Sequence, residues 1–353
     1  MASINSGSND SLYLAYRSVG PSADLIVPAV ALYLVVLVGI VLNGTVLVVT
    51  VRSNSLRGSA NFLMALICLC ELVHQIGHTF FLIVVISGKN FVSLLTADFF
   101  MTPMIFALNC GLMAMFCAAF DRLFAIISPF NHNAIFIKYK FPYLLGHLFI
   151  CTIYATFIQY CVLAYAFENA GSPTTGVVAE TLLGPVGYIF FGGAFLVLLG
   201  SSCCYVAIFV LIRSKNGVTQ QTNTRLLRSM IIILCISIGS YLINLAMYQL
   251  LYAFGSILGS PIRIWQVGFI AGILLNAGAG SNAVVLYFNS TEYRRVFKME
   301  LRTLIERFLG HKNAVHPTGV IIHVGNAGNA TQQRNNANST QPNNVQSIQL
   351  NRF

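Results

Sequence analysis

Charged residues are scarce in this sequence. Asp, Glu, Lys and Arg make up 8% of the 353 residues, whereas hydrophobic residues make up 56%. An ordinary soluble domain has roughly three times this density of charge, so the chain has too few charged groups to cover a surface that faces water. The composition therefore excludes a soluble globular protein and predicts a protein whose natural solvent is lipid.

Long apolar runs replace the missing charge. Each run is long enough to cross a hydrocarbon core, which needs roughly 20 helical residues. Strands are not expected, because alternation is absent and a barrel strand needs only about ten residues. The runs cover residues 25–51, 60–87, 97–127, 141–167, 183–212, 230–254 and 264–288. We therefore predict an all-α membrane protein with a seven-transmembrane helix bundle over residues 25–288.

The distribution of Lys and Arg predicts how the bundle is oriented. If the amino terminus lies outside, seventeen of the 20 Lys and Arg residues fall in the inner segments, and the outer segments keep only Arg17, Lys89 and Arg263. This bias predicts an extracellular N-terminus (residues 1–24) and a cytoplasmic C-terminus. We expect the membrane to be the plasma membrane. The net charge of +10 then belongs to the rim beside the anionic inner leaflet, and no nucleic-acid-binding motif accompanies it.

The polar ends of the chain predict three further features. Residues 1–24 lack the apolar core of a cleavable signal peptide, so the first run is expected to act as the insertion signal. Residues 289–309 place apolar side chains at steps of three and four with Lys and Arg between them, which predicts an amphipathic helix at the inner membrane face, capped by Ser290 or Thr291 and closed by Gly310. Residues 310–353 are rich in Asn and Gln and are expected to form a disordered cytoplasmic tail.

Two kinds of modification or ligand site can be considered from the sequence. Among the Asn-X-Ser/Thr sequons, Asn9 alone is both outside and clear of the bilayer in this topology, so it is the candidate glycosylation site. The nine cysteines all fall inside the apolar runs and are expected to be mostly buried small hydrophobes. Cys203 and Cys204 are adjacent, but no His or Cys partners stand at zinc spacing, so neither a metal site nor another cofactor is predicted.

Charges remain at both ends of the third run. Asp121 and Arg122 lie at its inner end, and Asp98 lies 23 residues earlier, about 35 Å away at a rise of about 1.5 Å per residue. A charge near lipid costs at least a few kcal/mol unless it is paired or hydrated, so such residues tend to be functional. The alternative for Asp121 and Arg122 is an interfacial pair that extends toward water.

These residues carry a resemblance to a known family. DRLFAIISPF, at residues 121–130, resembles the Asp-Arg-Tyr motif and following proline of rhodopsin-like G protein-coupled receptors. Gly39 and Asn43 in the first run, SLRGSANFLMAL in the first inner connection, and Glu71 in the second run occur in the matching order. The chain is most similar to the nematode serpentine chemoreceptors of Srsx type, since Asn282 precedes STEYRR as in their seventh helix. The resemblance covers residues 25–309.

The resemblance implies a receptor rather than an enzyme, with an unknown small-molecule or peptide ligand and a heterotrimeric G protein as partners. It implies that Asp121 holds Arg122 at rest and that movement of the sixth helix releases it. The residues expected to take part in coupling or switching are Asp121, Arg122, Leu123, Asn282 and Tyr287. The resemblance also implies an inner polar pocket that contains Asn43, Glu71 and Ser281.

Several positions depart from the family pattern. Leu123 replaces the motif Tyr, Ala283 replaces the seventh-helix Pro, and Leu286 stands at the usual Tyr position with Tyr287 one residue further on. The usual outer disulfide has no cysteines here. The sixth helix lacks a proline, and Tyr241 stands where Trp is usual. Fewer kinks and no disulfide predict a changed switch.

Glu71, His74 and His78 share one face of the second helix. Three interpretations remain open for them. Glu71 could belong to a sodium pocket, although Gly111 and Gly278 stand where hydroxyl or amide partners are usual. The histidines could form a proton sensor, or they could make satisfied hydrogen bonds between helices.

The ligand is expected in the outer half of the bundle, between the third, fifth, sixth and seventh helices. The absence of an acid between Asp98 and Asp121 argues against an amine receptor, and the absence of Lys in the seventh run argues against bound retinal. Short outer connections favour a small molecule or short peptide. The candidate residues, chosen by depth alone, are Asp98, Phe99, Tyr241, Asn244, Tyr248, Trp265 and Gln266.

The sequence leaves alternatives to a receptor. A transporter or channel could use Gly268, Gly272, Gly278 and Gly280 as a helix break, but the glycines are spaced for one packing face and no internal repeat is visible. An enzyme is disfavoured because no nucleophile, base and orienting residue occur as a set. A receptor-shaped protein that no longer couples remains an alternative, given the altered sixth and seventh helices.

Overall fold

The computed structural model describes residues 11–182, 184–214, 221–254 and 260–308. Asn9, Gly310 and the predicted tail lie outside the described residues. Residues up to Ile305 belong to one compact unit, and the last residues of the final helix belong to a second.

Helices account for almost all of the described chain. Six helices or helix pairs are long and apolar enough to cross a membrane, and a shorter apolar segment, Cys235–Leu251, lies within a further helix. The predicted seven-helix architecture is therefore confirmed. The helices are α1 (residues 11–16), α2 (Ala23–Arg52), α3 (Ser59–Ile76), α4 (His78–Ile86), α5 (Leu94–Ile127), α6 (Pro129–Lys138), α7 (Lys140–Glu168), α8 (Val178–Thr181), α9 (Pro185–Ser214), α10 (Gln221–Phe254), α11 (Pro261–Gly280), α12 (Asn282–Asn289) and α13 (Thr291–Phe308).

Two of the predicted spans are interrupted helices. The second run becomes α3 and α4, which meet at Gly77, where a Cβ atom would lie 2.8 Å from Cγ of Met104. The seventh run becomes α11 and α12, which meet at Ser281. Apolar periodicity alone did not reveal either interruption, because the segments on both sides of each are apolar.

The third span, α5, is the centre of the bundle. It packs against α3, α7 and α9. In its most apolar stretch of 18 residues, 67% of the residues are buried, compared with 28% in the corresponding stretches of α2, α7 and α9. Lipid tails are as apolar as leucine, so packing contacts and interhelical hydrogen bonds stabilise such a bundle more than the hydrophobic effect does. The polar residues buried beside α5 therefore indicate how the helices are held together.

The end of the bundle where α2 begins is called the N-terminal end. Here β1 (Val92–Ser93) pairs antiparallel with β2 (Pro173–Thr174), and the backbone N–H of Leu94 donates to the carbonyl of Ser172. The side chain of Asn90 donates to the carbonyls of Tyr16 and Gly20, at 2.9 and 2.7 Å. The two connections and the segment before α2 are thus joined by hydrogen bonds.

The opposite end, where α12 finishes, is called the C-terminal end, and α13 packs against it. The Ser290 hydroxyl accepts from the backbone N–H of Tyr293 at 3.3 Å, so Ser290 is the capping residue. Tyr293 is fully buried, its hydroxyl lies 3.1 Å from that of Thr50, and burial raises the pKa of this phenol. Arg52 forms an ion pair with Glu300 at 3.0 Å. These contacts attach the amphipathic helix to α2.

Candidate functional site

The Asp121 carboxylate, at the C-terminal end, has four hydrogen-bond or ion-pair partners. It is fully buried in α5. One oxygen, Oδ1, accepts from the Tyr143 hydroxyl at 2.7 Å and from Nε2 of His132 at 3.0 Å. The other, Oδ2, accepts from the Ser59 hydroxyl at 3.2 Å and lies 3.3 Å from Nη2 of Arg122. These five residues are called the Asp121 clamp.

The clamp joins four elements. Ser59 opens α3, His132 lies in α6, and Tyr143 lies in the first turn of α7. A buried carboxylate is stable only when hydrogen bonds and opposite charge replace its lost hydration. Four partners satisfy that requirement, so the charge is held in place rather than extended toward water.

Arg122 is restrained less completely than Asp121. Its side chain is 20% exposed, and Nη2 faces Asp121. Within the described part of the chain, its Nε–H has no hydrogen-bond acceptor. The neighbouring Leu123 packs against the apolar core around α5. Arg122 thus has donors available for another partner.

Sequence reasoning did not find three members of the clamp. Asp121 and Arg122 stood out because charge is rare in apolar runs. Ser59, His132 and Tyr143 carry no comparable signal, since they lie in polar connections or at helix starts. The only hint was the proximity of His132 to the motif in sequence.

A second buried polar network joins five helices near the middle of the bundle. The Asn282 amide donates to Oδ1 of Asn43 at 3.3 Å, and its own Oδ1 accepts from the Ser237 hydroxyl at 3.4 Å. Asn43 in turn donates to the Ala279 carbonyl and to Oε1 of Gln75, at 3.2 and 3.4 Å. Asn282 therefore links α2, α10 and α12, and Asn43 extends the network to α3 and α11.

The predicted inner polar pocket is not assembled as one group. Asn43 joins the Asn282 network, but the Ser281 hydroxyl donates to the Gly278 carbonyl in its own helix, at 2.7 Å. Glu71 instead accepts from the Tyr241 hydroxyl at 2.9 Å and lies 3.6 Å from Nδ1 of His74. A hydroxyl at a helix end reaches its own backbone more easily than a distant side chain, and the role of Ser281 in a polar pocket stays a prediction.

Tyr287 faces α13 rather than the helix bundle. The Arg294 guanidinium lies over its ring, 5.9 Å from the centroid, and donates to the backbone carbonyls of Tyr287 and Phe288. Leu286 is fully buried in the apolar cluster between α2, α3 and α12. The one-residue offset seen in the sequence thus moves the tyrosine ring out of the helix bundle, and its role in switching stays a prediction.

A cavity opens between the helices toward the N-terminal end. It holds about 730 Å³ of space between atoms, a volume that includes open solvent at its mouth. Clefts between the helices of a bundle are common places for small-molecule sites. Its walls come from α2, α3, α4, α5, α9, α10 and α11, and the α8 region contributes Val177, Val178, Ala179 and Leu182. Among the described residues, no Asp, Glu, Lys or Arg lines it. Its polar lining residues are His74, His78, Tyr241, Asn244, Tyr248 and Asn276.

Three of the seven predicted ligand residues line this cavity: Tyr241, Asn244 and Tyr248. The other four lie elsewhere. Phe99 is 75% exposed on the outside of the bundle, and Gln266 donates to the Asp24 carbonyl at 3.3 Å. Trp265 packs behind Phe269, a lining residue, with ring centroids 4.2 Å apart. Asp98 is fully buried, and its carboxylate accepts no hydrogen bond from the described residues. Depth along a helix did not determine which face each side chain occupies.

The connection between α7 and α9 covers the cavity and is held by Glu180. One oxygen of this carboxylate, Oε2, accepts from the Thr174 hydroxyl and the Thr175 backbone N–H, both at 2.7 Å. The other accepts from the Thr175 hydroxyl at 2.9 Å and from the Trp265 indole N–H at 2.8 Å. Together with the β1–β2 pairing, Glu180 fixes this connection without a disulfide, a role that sequence reasoning missed.

Of the two second-span histidines, His78 contacts another helix, but Nδ1 of each ring has no hydrogen-bond partner among the described residues, so the three interpretations stay open. Nε2 of His78 lies 3.4 Å from the side-chain nitrogen of Asn276 in α11. The rings of His74 and His78 meet edge to face, 5.4 Å apart. Among the described residues, no group of three or more His, Cys, Asp and Glu side chains is arranged to hold a metal ion.

The fold and these sites define a multi-pass membrane protein with a cavity at one end of a seven-helix bundle and a paired Asp-Arg motif at the other. Residues 36–301 match the family model described as serpentine type 7TM GPCR chemoreceptor Srsx. The chain therefore belongs to the Srsx family of serpentine seven-transmembrane chemoreceptors, which are receptors and not enzymes. No curated protein matches the chain.

Proposed function

We propose that this protein is a chemosensory receptor that binds a small molecule in the cavity and activates a heterotrimeric G protein at the C-terminal end. We further propose that it lies in the plasma membrane with the cavity facing outward. The charge asymmetry supports this orientation, because Lys and Arg are retained on the cytoplasmic side of a membrane. The roles of Asp121, Arg122, Leu123, Asn282 and Tyr287 in coupling are part of the proposal.

The observation that carries the proposal is the Asp121 clamp. It holds Arg122 beside a carboxylate that is itself fixed by three other side chains. Such a clamp stabilises one arrangement of the bundle. A G protein that pairs with Arg122 would stabilise another arrangement, and the two states differ in which partner the guanidinium has.

A connected set of contacts supports communication between the cavity and the clamp. Tyr241 lines the cavity and hydrogen-bonds Glu71 in α3. Ser237 lies one turn before Tyr241 in α10, nearer the C-terminal end of the bundle. It hydrogen-bonds Asn282 in α12. A ligand that displaces Tyr241 would therefore loosen the attachment of α10 to its neighbours. It can shift the equilibrium only by its difference in affinity for the two states.

The central test compares Arg122→Ala with wild type in cells that express a promiscuous G protein. We expect ligand-induced signalling to be lost while surface expression stays equal, since the substitution removes the group that would meet the G protein. Arg52→Ala is the matched control, because its exposed ion pair with Glu300 is worth about 1 kcal/mol or less. Normal signalling by Arg122→Ala at equal surface expression would refute the coupling role.

The same assay distinguishes a receptor that does not couple. A wild-type protein that binds ligand but activates no G protein would favour that alternative. It would agree with the altered positions Leu123, Ala283 and Leu286. Substrate-dependent current or uptake in proteoliposomes would instead favour a transporter.

A further inference from the structure

The residues that line the cavity occupy a single face of α10 and a single face of α11. In each helix they follow one another at the spacing of neighbours on one helix surface. They are Tyr241, Asn244, Leu245 and Tyr248 in α10, and Gly268, Phe269, Gly272, Leu275 and Asn276 in α11. Because helical side chains point away from the helix axis, a residue within such a face points toward the cavity.

Gly272 lies at the centre of the face that α11 presents. A step of two residues turns a helix by about 200°, so Ile270 and Leu274 point the opposite way. Their side chains are 53% and 45% exposed on the outside of the bundle. A Cβ atom at Gly272 would meet nothing within 4 Å among the described residues. Gly272 therefore points inward onto open space, and its lack of a side chain leaves part of the cavity free.

The other glycines of α11 are closer to their neighbours. A Cβ atom at Gly268 would lie 3.6 Å from the Tyr248 hydroxyl, and one at Gly278 would overlap Ser240. Those two positions serve packing between α10 and α11, whereas Gly272 borders free space. A side chain added at Gly272 would therefore shrink the cavity rather than push the helices apart.

The wall around this space is mostly aliphatic and aromatic, with Phe190, Phe191 and Phe269 among its larger groups. In the part of the wall that the structure describes, Asp, Glu, Lys and Arg do not occur. Transfer of apolar surface from water into such a wall is favourable, whereas a charge loses its hydration there without gaining an opposite charge.

Glu71 makes the wall still less suitable for an anion. Its carboxylate accepts from the Tyr241 hydroxyl at 2.9 Å and lies 3.6 Å from Nδ1 of His74. Tyr241 and His74 both line the cavity, so the carboxylate lies directly behind the wall. An anionic ligand would be repelled by it at short range.

We propose that the cavity binds an uncharged, predominantly apolar small molecule, and that Gly272 limits the size of the molecule that fits. This inference rests on the proposed function, because it takes the cavity to be the ligand site, but it requires nothing of the G protein.

The test measures binding to the purified full-length receptor in lipid nanodiscs, without a G protein and at neutral pH. The probes are hexanol, octanol and phenylpropanol, each compared with the amine and the carboxylate of the same carbon skeleton. Binding is read from the rise in thermal midpoint and from the fluorescence of Trp265, the single Trp of the chain, whose ring packs on Phe269. At least one alcohol is expected to bind roughly tenfold more tightly than its charged counterparts.

Gly272→Leu tests the size limit and locates the binding. The added side chain should weaken binding of the largest alcohol that fits by roughly tenfold. Leu274→Phe is the matched control, because it adds bulk on the outer face of the same helix and should leave the affinities unchanged. Partition of a probe into lipid is the same for every variant, so it cannot produce this difference. If Gly272→Leu fails to fold, Gly272→Ala should show the same change to a smaller extent.

Asn244→Asp tests the charge preference at nearly constant volume. A carboxylate on the lining face of α10 should raise the affinity for an amine by roughly tenfold relative to the alcohol of the same skeleton. Asn244→Leu is the matched control, because it has a similar size and no charge and should leave the amine weakly bound.

The outcomes separate this inference from the proposed function. Tightest binding of wild type by a charged probe, no binding by any alcohol, alcohol affinities that neither Gly272 variant changes, or no gain for the amine in Asn244→Asp would overturn the inference. Alcohol binding that persists in Arg122→Ala, while signalling is lost, would support both. Alcohol binding with no signalling from wild type would uphold the inference and count against coupling.

Discussion

Tyr241 illustrates at the residue scale how one side chain serves both the cavity and the bundle. Its ring lines the cavity and its hydroxyl donates to the buried Glu71 carboxylate. Tyr205 is also buried, but its hydroxyl has no hydrogen-bond partner among the described residues. The two buried tyrosines therefore differ mainly in whether the hydroxyl group forms a hydrogen bond.

The comparison of these two tyrosines gives a stability prediction. Tyr241→Phe is expected to lower the free energy of unfolding by about 1–3 kcal/mol, because it leaves a buried carboxylate oxygen without its donor. Tyr205→Phe, the matched control, should change it little. Thermal unfolding of the purified variants checks this, and equal midpoints for the two would contradict the role of the Glu71 hydrogen bond.

The glycines of α11 act at the element scale by permitting close approach of neighbouring helices. A Cβ atom at Gly278 would overlap the side chain of Ser240 in α10, and one at Gly280 would lie 3.0 Å from Cα of Gly39 in α2. At Gly272 a Cβ atom would meet nothing within 4 Å. The predicted close packing therefore holds at Gly278 and Gly280, while the helix interruption itself falls at Ser281.

Alanine substitutions distinguish the two kinds of glycine. Gly278→Ala is expected to destabilise the bundle by about 1–3 kcal/mol through overpacking, whereas Gly272→Ala should be neutral or slightly stabilising because it favours the helix. Thermal midpoints of the expressed proteins measure the difference. If Gly278→Ala proved as stable as Gly272→Ala, close contact between α10 and α11 would not matter for the fold.

At the scale of the whole molecule, the distribution of charge predicts the orientation in the membrane. In the topology predicted from the sequence, seventeen of the 20 Lys and Arg residues fall in the inner segments, and this excess should keep that side in the cytoplasm. The cavity and the connection held by Glu180 would then face outward, and the Asp121 clamp would face the G protein.

Tagged proteins check this orientation. An epitope attached before residue 1 should be accessible on intact cells, and one attached after residue 353 should be accessible only after permeabilisation. A version tagged at both ends provides its own control, because one of the two signals must require permeabilisation. The reverse pattern would place the cavity in the cytoplasm and remove the basis of the receptor proposal.

The sequence by itself determined that the chain is a seven-helix membrane protein, because scarcity of charge and run length are properties of consecutive residues. It also singled out Asp121, Arg122, Glu71, His74 and His78, since a polar group inside an apolar run is visible without knowing its neighbours. The order of short motifs was enough to identify the family that the comparison confirmed.

Only the tertiary structure decided which of these residues share a site. Ser59, His132 and Tyr143 meet Asp121 from three other elements, and Asn276 meets His78 across two helices. Such meetings depend on helix rotation and on breaks of a single residue, which composition and periodicity do not specify. Because a helical side chain turns by about 100° per residue, its position along a span gives its depth but not the face on which it lies.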